Sequence, residues 1–320
     1  MPDGRNLFMK FLHRETIPRP VIIPFIDTLA ARIAGNSYRE MIGDPGLWTA
    51  ALSKSMELLG TDGIIAGFDG TILAQALGAT LSWSDGVPAV AGPAAGVTDD
   101  PLATPHLAAA LETVKRLSAI PGRRGWACVA AAAGPLTLAA QVFAPAEIEA
   151  GITRIKPRIT AVTEAFLKTQ PDMFLFVEQL RHDQVKSFGS VARVYNTLRN
   201  LAGYYNVPMA VFVEGYDPAA LNKLLTLKLD IIILGRDCYH DGPELAVAMQ
   251  LAHEVAGVGI GIPWDQPARA GNIMQEAVAA CHDGQQLLLT SLGGLNRDID
   301  LNAVRTLIDG CRVNEMETGA

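Results

Sequence analysis

Short, continuously hydrophobic runs alternate with longer amphipathic stretches along almost the whole chain. Each run is long enough for one strand and too short for a helix, and its lack of polar positions is typical of strands buried on both faces. The runs cover residues 21–26, 63–68, 125–133, 173–178, 208–213, 230–234, 257–262 and 286–290. Strands that alternate with helices pair in parallel through right-handed crossovers, and about eight of them predict a closed (β/α)₈ TIM barrel.

The stretches between the runs have helical periodicity. They predict helices at residues 28–34, 45–59, 104–118, 144–169, 189–205, 217–228, 242–256, 267–282 and 299–312. Residues 1–18 contain a further amphipathic helix, and residues 313–320 are expected to form a flexible tail. Residues 79–104 are rich in glycine, proline, alanine and aspartate, which indicates an excursion over the surface or over the barrel mouth. We predict one barrel domain over residues 1–320.

Charge and composition exclude several classes of protein. The net charge is −7, with 26 basic and 33 acidic residues, so no basic surface for nucleic acid is expected. No apolar run approaches the roughly 20 residues that span a membrane, and the N-terminal residues have no apolar core of a signal peptide. The four cysteines are far apart, and no phosphate-binding glycine motif follows a strand. A soluble, cytoplasmic protein is expected.

Acidic residues recur at or just after the carboxyl ends of the predicted strands. They are Asp27, Asp69, Glu178, Glu214, Asp237 and Asp265. Loops at that end of a barrel converge and carry the chemistry. A converging set of carboxylates can hold a metal ion, position a cationic substrate or raise the pKa of one member so that it acts as an acid. The alternative for each residue is capping of the following helix.

Several other side chains are expected at the same mouth. Arg32, Arg181 and Arg236 could pair with the acids or bind an anionic substrate. Cys238 and His240, with Glu214, form a candidate zinc site. The remaining candidates are Trp264 and Ser291 for substrate binding and His182 for proton transfer.

Four segments of the chain together resemble the uroporphyrinogen decarboxylase superfamily. They are SYREMIGDPGLWTAAL (37–52), LGTDGIIAGFDGTILAQALGATLSW (59–83), GPLTLAAQVF (134–143) and DIDLNAVRTLI (298–308). The resemblance implies a (β/α)₈ barrel and either a decarboxylase or a corrinoid-dependent methyltransferase. It also implies that Asp69 matches the aspartate with which decarboxylases contact pyrrole nitrogens. Gln141 stands where those enzymes have a tyrosine.

The chain departs from both functional patterns of the superfamily. The arginine-bearing motif of decarboxylases should fall near residues 25–29, which read Phe-Ile-Asp-Thr-Leu, so a substrate with several carboxylates would meet an acidic mouth. The zinc motif of thiol methyltransferases resembles residues 212–217, where Phe212 and Glu214 replace its histidine and cysteine. Zinc activates a thiol by stabilising its thiolate form. Without this zinc motif, the chain lacks the usual means of activating a thiol as methyl acceptor.

The resemblance implies a methyltransferase that moves a methyl group between a small methylated substrate, a methoxyarene or an amine, and a corrinoid. The corrinoid-binding signature Asp-x-His-x-x-Gly is missing, so a separate corrinoid protein would be the partner. Glu178, Glu214 or Asp237 would act as the acid, and Asp69 would orient the substrate. The alternatives are a decarboxylase- or lyase-type acid–base enzyme on a small cyclic substrate without corrinoid, and a catalytically degenerate binding barrel. A homodimer remains open.

Overall fold

The computed structural model describes residues 3–120, 125–180, 188–239 and 241–317, with side chains described up to residue 312. Within these residues the strands are β1 (Val21–Ile22), β2 (Gly63–Ala66), β3 (Thr80–Ser84), β4 (Val87–Gly92), β5 (Ala127–Ala133), β6 (Met173–Gln179), β7 (Met209–Glu214), β8 (Ile231–Leu234), β9 (Gly257–Ile262) and β10 (Leu287–Ser291). Eight of them form one parallel sheet in the order β1-β10-β9-β8-β7-β6-β5-β2.

Helices precede, separate and follow the strands of the sheet along the chain. They are α1 (Gly4–Leu12), α2 (Asp27–Ala34), α3 (Tyr38–Gly43), α4 (Pro45–Leu59), α5 (Ile72–Ala76), α6 (Pro105–Ala119), α7 (Pro135–Val142), α8 (Ile148–Leu167), α9 (Phe188–Tyr204), α10 (Pro218–Leu225), α11 (Leu245–Leu251), α12 (Pro267–His282) and α13 (Leu301–Glu317). Of these helices, none is long and apolar enough to cross a membrane.

Asp62 joins the two outer strands of the sheet, β1 and β2. The backbone N–H of Asp62 donates to the Ile22 carbonyl at 2.9 Å, and the Ile22 N–H donates to Asp62 Oδ2 at 2.9 Å. Both terminal nitrogens of the buried Arg19 also donate hydrogen bonds to the Asp62 carboxylate, at 2.6 and 2.8 Å. These contacts bring the sheet to near closure, and the (β/α)₈ barrel predicted from the hydrophobic runs is confirmed.

The first strand is shorter than its hydrophobic run. Ile23 still donates its N–H to the Leu289 carbonyl, but Pro24 has no N–H to continue the ladder. Phe25 then donates its N–H to Ser291 Oγ at 2.9 Å, which keeps the segment against β10. The Phe25 ring packs on Phe212 of β7, with 5.0 Å between ring centroids, and fills the barrel interior.

Residues 79–104 contain a hairpin that the glycine-rich composition concealed. β3 and β4 pair antiparallel around Asp85-Gly86, whose φ angles are +51° and +78°. Two positive φ angles are the mark of a type I′ turn, which Asp-Gly favours. The hairpin stands outside the barrel sheet, in the segment expected to pass over the surface or the mouth.

Several helix boundaries also differ from those predicted. The N-terminal helix ends at Leu12, and Arg14 then adopts the left-handed conformation with φ +59°. Helix α11 is much shorter than the predicted 242–256, while α13 continues to Glu317, into the expected tail. Helices α3 and α7 were not predicted, because 6 and 8 residues are too few to establish a helical period in the sequence.

Candidate active site

A cavity of about 710 Å³ lies at the carboxyl end of the barrel strands, between the hairpin and the loop after β10. It is lined by Asp27, Thr28, Tyr38, Asp69, Gly70, Thr71, Asp85, residues 87–90, Gln141, Gln179 and residues 294–298. Of the residues proposed from the sequence, it brings together Asp27, Asp69 and Gln141. This is the end of the barrel at which barrel enzymes place their active sites.

Asp69 is fixed on the loop that follows β2. The Tyr38 hydroxyl donates to Oδ2 at 2.8 Å, while the Thr71 N–H and hydroxyl donate to Oδ1 at 2.8 and 2.6 Å. The residue is only 8% exposed. A carboxylate is an acceptor only, and here three donors match it. Asp69 is therefore held in one orientation before any ligand arrives.

Asp27, the first residue of α2, lies beside Asp69. Burial raises the pKa of Asp27 from 3.8 to about 7, and the negative charge of Asp69 adds to the rise, while a hydrogen bond to the Asp27 backbone opposes it. Asp27 keeps some exposed surface because it lines the cavity, but the surrounding protein still penalises its charge. At neutral pH this carboxyl group can hold or release a proton.

Tyr38 is a site residue that the sequence analysis missed. A capping box begins α3: Ser37 Oγ accepts the Glu40 N–H, and Glu40 Oε2 accepts the Ser37 N–H, both at 3.2 Å. The box places Tyr38 at the first helical position, where its hydroxyl reaches Asp69. Burial and the charges of Asp69 and Asp27 raise the Tyr38 pKa well above its usual value, so the phenol stays a donor. The Ser-x-x-Glu spacing was the available signal.

Glu178 lies on the outer face of β6, so the acid role expected for it does not fit its position. Phe176, two residues earlier on the same face, packs on Tyr195 of α9. Glu178 accepts hydrogen bonds from the Leu136 N–H, the Thr137 N–H and hydroxyl, and the Tyr195 hydroxyl, at 2.7–3.1 Å. Burial raises the pKa of Glu178, although the hydrogen bonds from these donors partly oppose the rise. Glu178 anchors the start of α7, and the next residue, Gln179, faces the cavity instead.

Glu214 and Asp237 differ in what their carboxylates contact. Glu214 shares the inner face of β7 with Phe212, and burial raises its pKa although the charge of Arg236 opposes the rise. The amide nitrogen of Gln179 lies 3.5 Å from Glu214 Oε2, which links Glu214 to the cavity wall. Asp237 accepts the N–H groups of Tyr239 and Asp241 at 2.8 and 3.0 Å, so its carboxylate shapes its own loop.

The zinc site proposed from Glu214, Cys238 and His240 falls partly outside the described residues, because His240 is not among them. Within the described part of the chain, no three histidine, cysteine, aspartate or glutamate side chains come together as a metal site. Arg181 and His182 also lie outside the described residues.

The remaining candidates occupy supporting positions or a second cavity. Arg32 donates to the Ile299 carbonyl at 2.8 Å and is not among the residues that line the large cavity. A smaller cavity of about 180 Å³ is lined by Trp264, Asp265 and Ser291, among others. The buried Trp264 donates to the Thr290 carbonyl, and Asp265 is exposed. The two cavities share residues 294–296, so they adjoin.

Two adjacent glycines in the turn after β10 lie against Asp27 and Glu214. A Cβ atom on Gly294 would lie 3.4 Å from Asp27 Oδ2, and one on Gly293 would lie 3.4 Å from Glu214 Oε1. The two carboxyl groups therefore flank adjacent positions of one turn. At 3.4 Å a Cβ atom at either glycine would be in van der Waals contact with a carboxyl group, so the turn packs directly against both acids.

Comparison with known proteins gives one family match. Residues 3–156 match the family model described as uroporphyrinogen decarboxylase (URO-D). No curated protein matches the chain.

Solved structures share the fold at low sequence identity. A methyltransferase from Methanosarcina mazei has a TM-score of 0.75 at 16% identity, with 98% of this chain and 99% of that chain covered. A B12-independent methionine synthase from Shewanella sp. W3-18-1 has a TM-score of 0.56 at 15% identity, covering 95% and 99%. The homocysteine methyltransferase MmuM from Escherichia coli has a TM-score of 0.51 at 11% identity, covering 92% and 96%. At these identities the likeness shows a common fold.

Proposed function

We propose that this chain, whose residues 3–156 match the uroporphyrinogen decarboxylase family model, moves a methyl group between a small methylated substrate and a corrinoid held on a separate protein. The substrate is a methoxyarene or an amine. The observation that carries the proposal is the pair of Asp27 and Asp69 at the cavity floor, one able to hold a proton at neutral pH and the other fixed by three donors. The methyltransferase among the structures of the same fold adds support.

In the proposed reaction, Asp27 shares a proton with the leaving atom of the substrate, and Asp69 orients the substrate. The bond between the methyl carbon and the substrate oxygen or nitrogen breaks, and that atom keeps the electron pair. One proton, held between Asp27 and the leaving atom, ends on the leaving atom, so that no free anion departs. The methyl group leaves without the electron pair and needs a nucleophilic acceptor, which the corrinoid would supply. Asp27 takes the acid role first assigned to Glu178, Glu214 or Asp237.

A corrinoid carried by another protein would reach the cavity across its rim. Among the described residues that line the cavity there is no histidine and no cysteine, the side chains that commonly bind cobalt or zinc in proteins. The rim residues Asn296, Arg297 and Asp298 are exposed, as is the hairpin tip at Asp85. A partner that presents its cofactor from outside would approach across this rim. No step is assigned to zinc.

Decarboxylation of a porphyrinogen fits the cavity less well. Such a substrate carries several carboxylates and needs cationic partners. The described lining contains four aspartates, Asp27, Asp69, Asp85 and Asp298, but among its described residues only one arginine, Arg297. A polyanion would therefore be repelled from the floor of the cavity.

The proposal is tested by methyl transfer to free cob(I)alamin. The purified protein is offered a panel of methoxyarenes and N-methyl amines, and formation of methylcobalamin is followed by its absorption spectrum. We expect transfer from at least one substrate, above the rate without protein. Conversion of a panel member without cobalamin would favour the lyase alternative instead. Neither activity, for a protein that binds panel members, would contradict the proposed function and favour the binding barrel.

A further inference from the structure

The hydroxyl groups that line the cavity all donate inside the protein. Tyr38 and Thr71 donate to Asp69, and Thr28 donates to the Leu295 carbonyl at 3.3 Å. Gln141 donates from its amide nitrogen to the Gly70 carbonyl at 2.8 Å, and its buried Oε1 has no donor among the described residues. These donors are therefore already paired within the protein, whereas acceptor oxygens remain available to a ligand. A ligand that brings hydrogen-bond donors would match such a floor.

The charges of the described lining residues also favour a ligand that is a cation. Asp27 and Asp69 stand at the floor, while Asp85 and Asp298 are exposed at the rim. The described cation of the lining, Arg297, is exposed at the rim as well. A positive ligand group at the floor would face two carboxyl groups in a partly desolvated place, where charge interactions are stronger than in water.

One side of the cavity is apolar. The hairpin contributes residues 87–90, Val-Pro-Ala-Val, and the loop after β10 contributes Leu295. The hairpin is held in place at its base, where the Ala94 N–H donates to the Val142 carbonyl at 2.9 Å. The Arg39 guanidinium also lies 4.8 Å from the centre of the Trp83 ring on β3. The cavity therefore offers an acidic floor beside an apolar wall.

We propose that the ligand of this cavity is an N-methylated ammonium ion with an apolar body. Its nitrogen lies against Asp27 and Asp69, and its body lies against the hairpin. When Asp27 is ionised, a methyl ether would present only an acceptor oxygen to two carboxylates, which are acceptors as well. As a methyl donor, the ammonium ion would lose its carbon–nitrogen bond, the nitrogen would keep the electron pair and leave as the amine, and the methyl group would pass to the corrinoid acceptor. That last step rests on the proposed function, whereas binding of the ion does not.

The test is calorimetric binding without cobalamin, at a pH above about 7, where Asp27 is ionised. The probes are N,N-dimethylbenzylammonium, benzyl methyl ether with a similar apolar body, and tetramethylammonium with none. Hydrogen bonds that involve a charged group are stronger than neutral ones, so we expect the benzylammonium to bind at least ~10-fold more tightly than the ether. Tetramethylammonium is expected to bind more weakly than the benzylammonium.

Two variants and a matched control test whether Asp27 and Asp69 cause the preference for the ammonium ion over the ether. Asp27→Asn removes one floor charge and should reduce the ratio of ammonium to ether affinity severalfold. Asp69→Asn should do the same, provided that its melting temperature shows a folded protein. Asp100→Asn removes an exposed charge outside the cavity and should leave the ratio unchanged. Equal or tighter binding of the ether, or a ratio that neither floor variant changes, would overturn the inference.

The binding test and the methyl-transfer test can fail separately. Ammonium binding without any methyl transfer would leave the ligand class standing and contradict the proposed function. Transfer from a methoxyarene by a protein that does not bind the ammonium probe would support methyl transfer and contradict the ligand class.

Discussion

Asp27→Asn is expected to lower the rate of methyl transfer by about 10²–10⁴-fold, the usual contribution of a positioned proton-transfer group. The amide has nearly the same shape as the carboxyl group but does not exchange a proton near neutral pH. Asp69 remains in place with its three donors, so the orientation of the substrate is largely kept. The rate is measured as methylcobalamin formation, with Asp100→Asn as the control. A rate within a few-fold of the wild type would contradict the role of Asp27.

The same substitution is expected to stabilise the fold, which separates loss of chemistry from loss of structure. The pKa of Asp27 is about 7 in the folded protein against a usual value of 3.8. Ionising this carboxyl group is harder in the folded than in the unfolded chain, so stability is lost as the pH rises between these values. Asn carries no charge to bury. Above pH 7, Asp27→Asn should therefore melt at a higher temperature than the wild type while its methyl transfer falls.

Asp62→Ala is expected to destabilise the barrel by about 3–5 kcal/mol, the usual cost of removing one partner from a buried ion pair. Arg19 is fully buried, and both of its terminal nitrogens donate to Asp62. The substitution also removes the acceptor for the Ile22 N–H at the junction of β1 and β2. The free energy of unfolding is measured by denaturant titration, if unfolding is reversible.

Glu112→Ala provides the comparison for that prediction. Glu112 pairs with Lys115 and Arg116 on the exposed face of α6, where solvent screens the charges. We expect a much smaller loss of stability than for Asp62→Ala. Equal losses for Asp62→Ala and Glu112→Ala would show that the Arg19–Asp62 pair does not hold the barrel closed.

The alternation of strands and helices was readable from the sequence because each buried strand leaves a short apolar run with polar flanks. The position of Asp27 and Asp69 followed from the same runs, since both residues stand where a run stops. The family resemblance is confirmed by the match of residues 3–156. These features depend on local sequence and on the convergence of strand ends in a barrel.

The orientation of Glu178 was not readable, for a physical reason. The first five residues of β6 (173–177) are apolar on both faces, so no alternation distinguishes the inner from the outer side. The packing of Phe176 on Tyr195 and the hydrogen bonds of Glu178 to α7 and Tyr195 show that Glu178 points outward, while Gln179 lines the cavity. Tyr38 was missed because it follows no strand. The raised pKa of Asp27 depends on burial and on Asp69, which the sequence places in a different loop.

The central claim is that Asp27 holds a proton near neutral pH beside a fixed Asp69, and infrared spectroscopy of the ligand-free protein tests it directly. The difference spectrum between the wild type and Asp27→Asn isolates the Asp27 carboxyl group from Glu178 and Glu214, whose pKa values are also raised. We predict a protonated carboxyl band in mildly acidic solution that disappears with a midpoint near pH 7. A band that is already lost near the usual value of 3.8 would contradict the account.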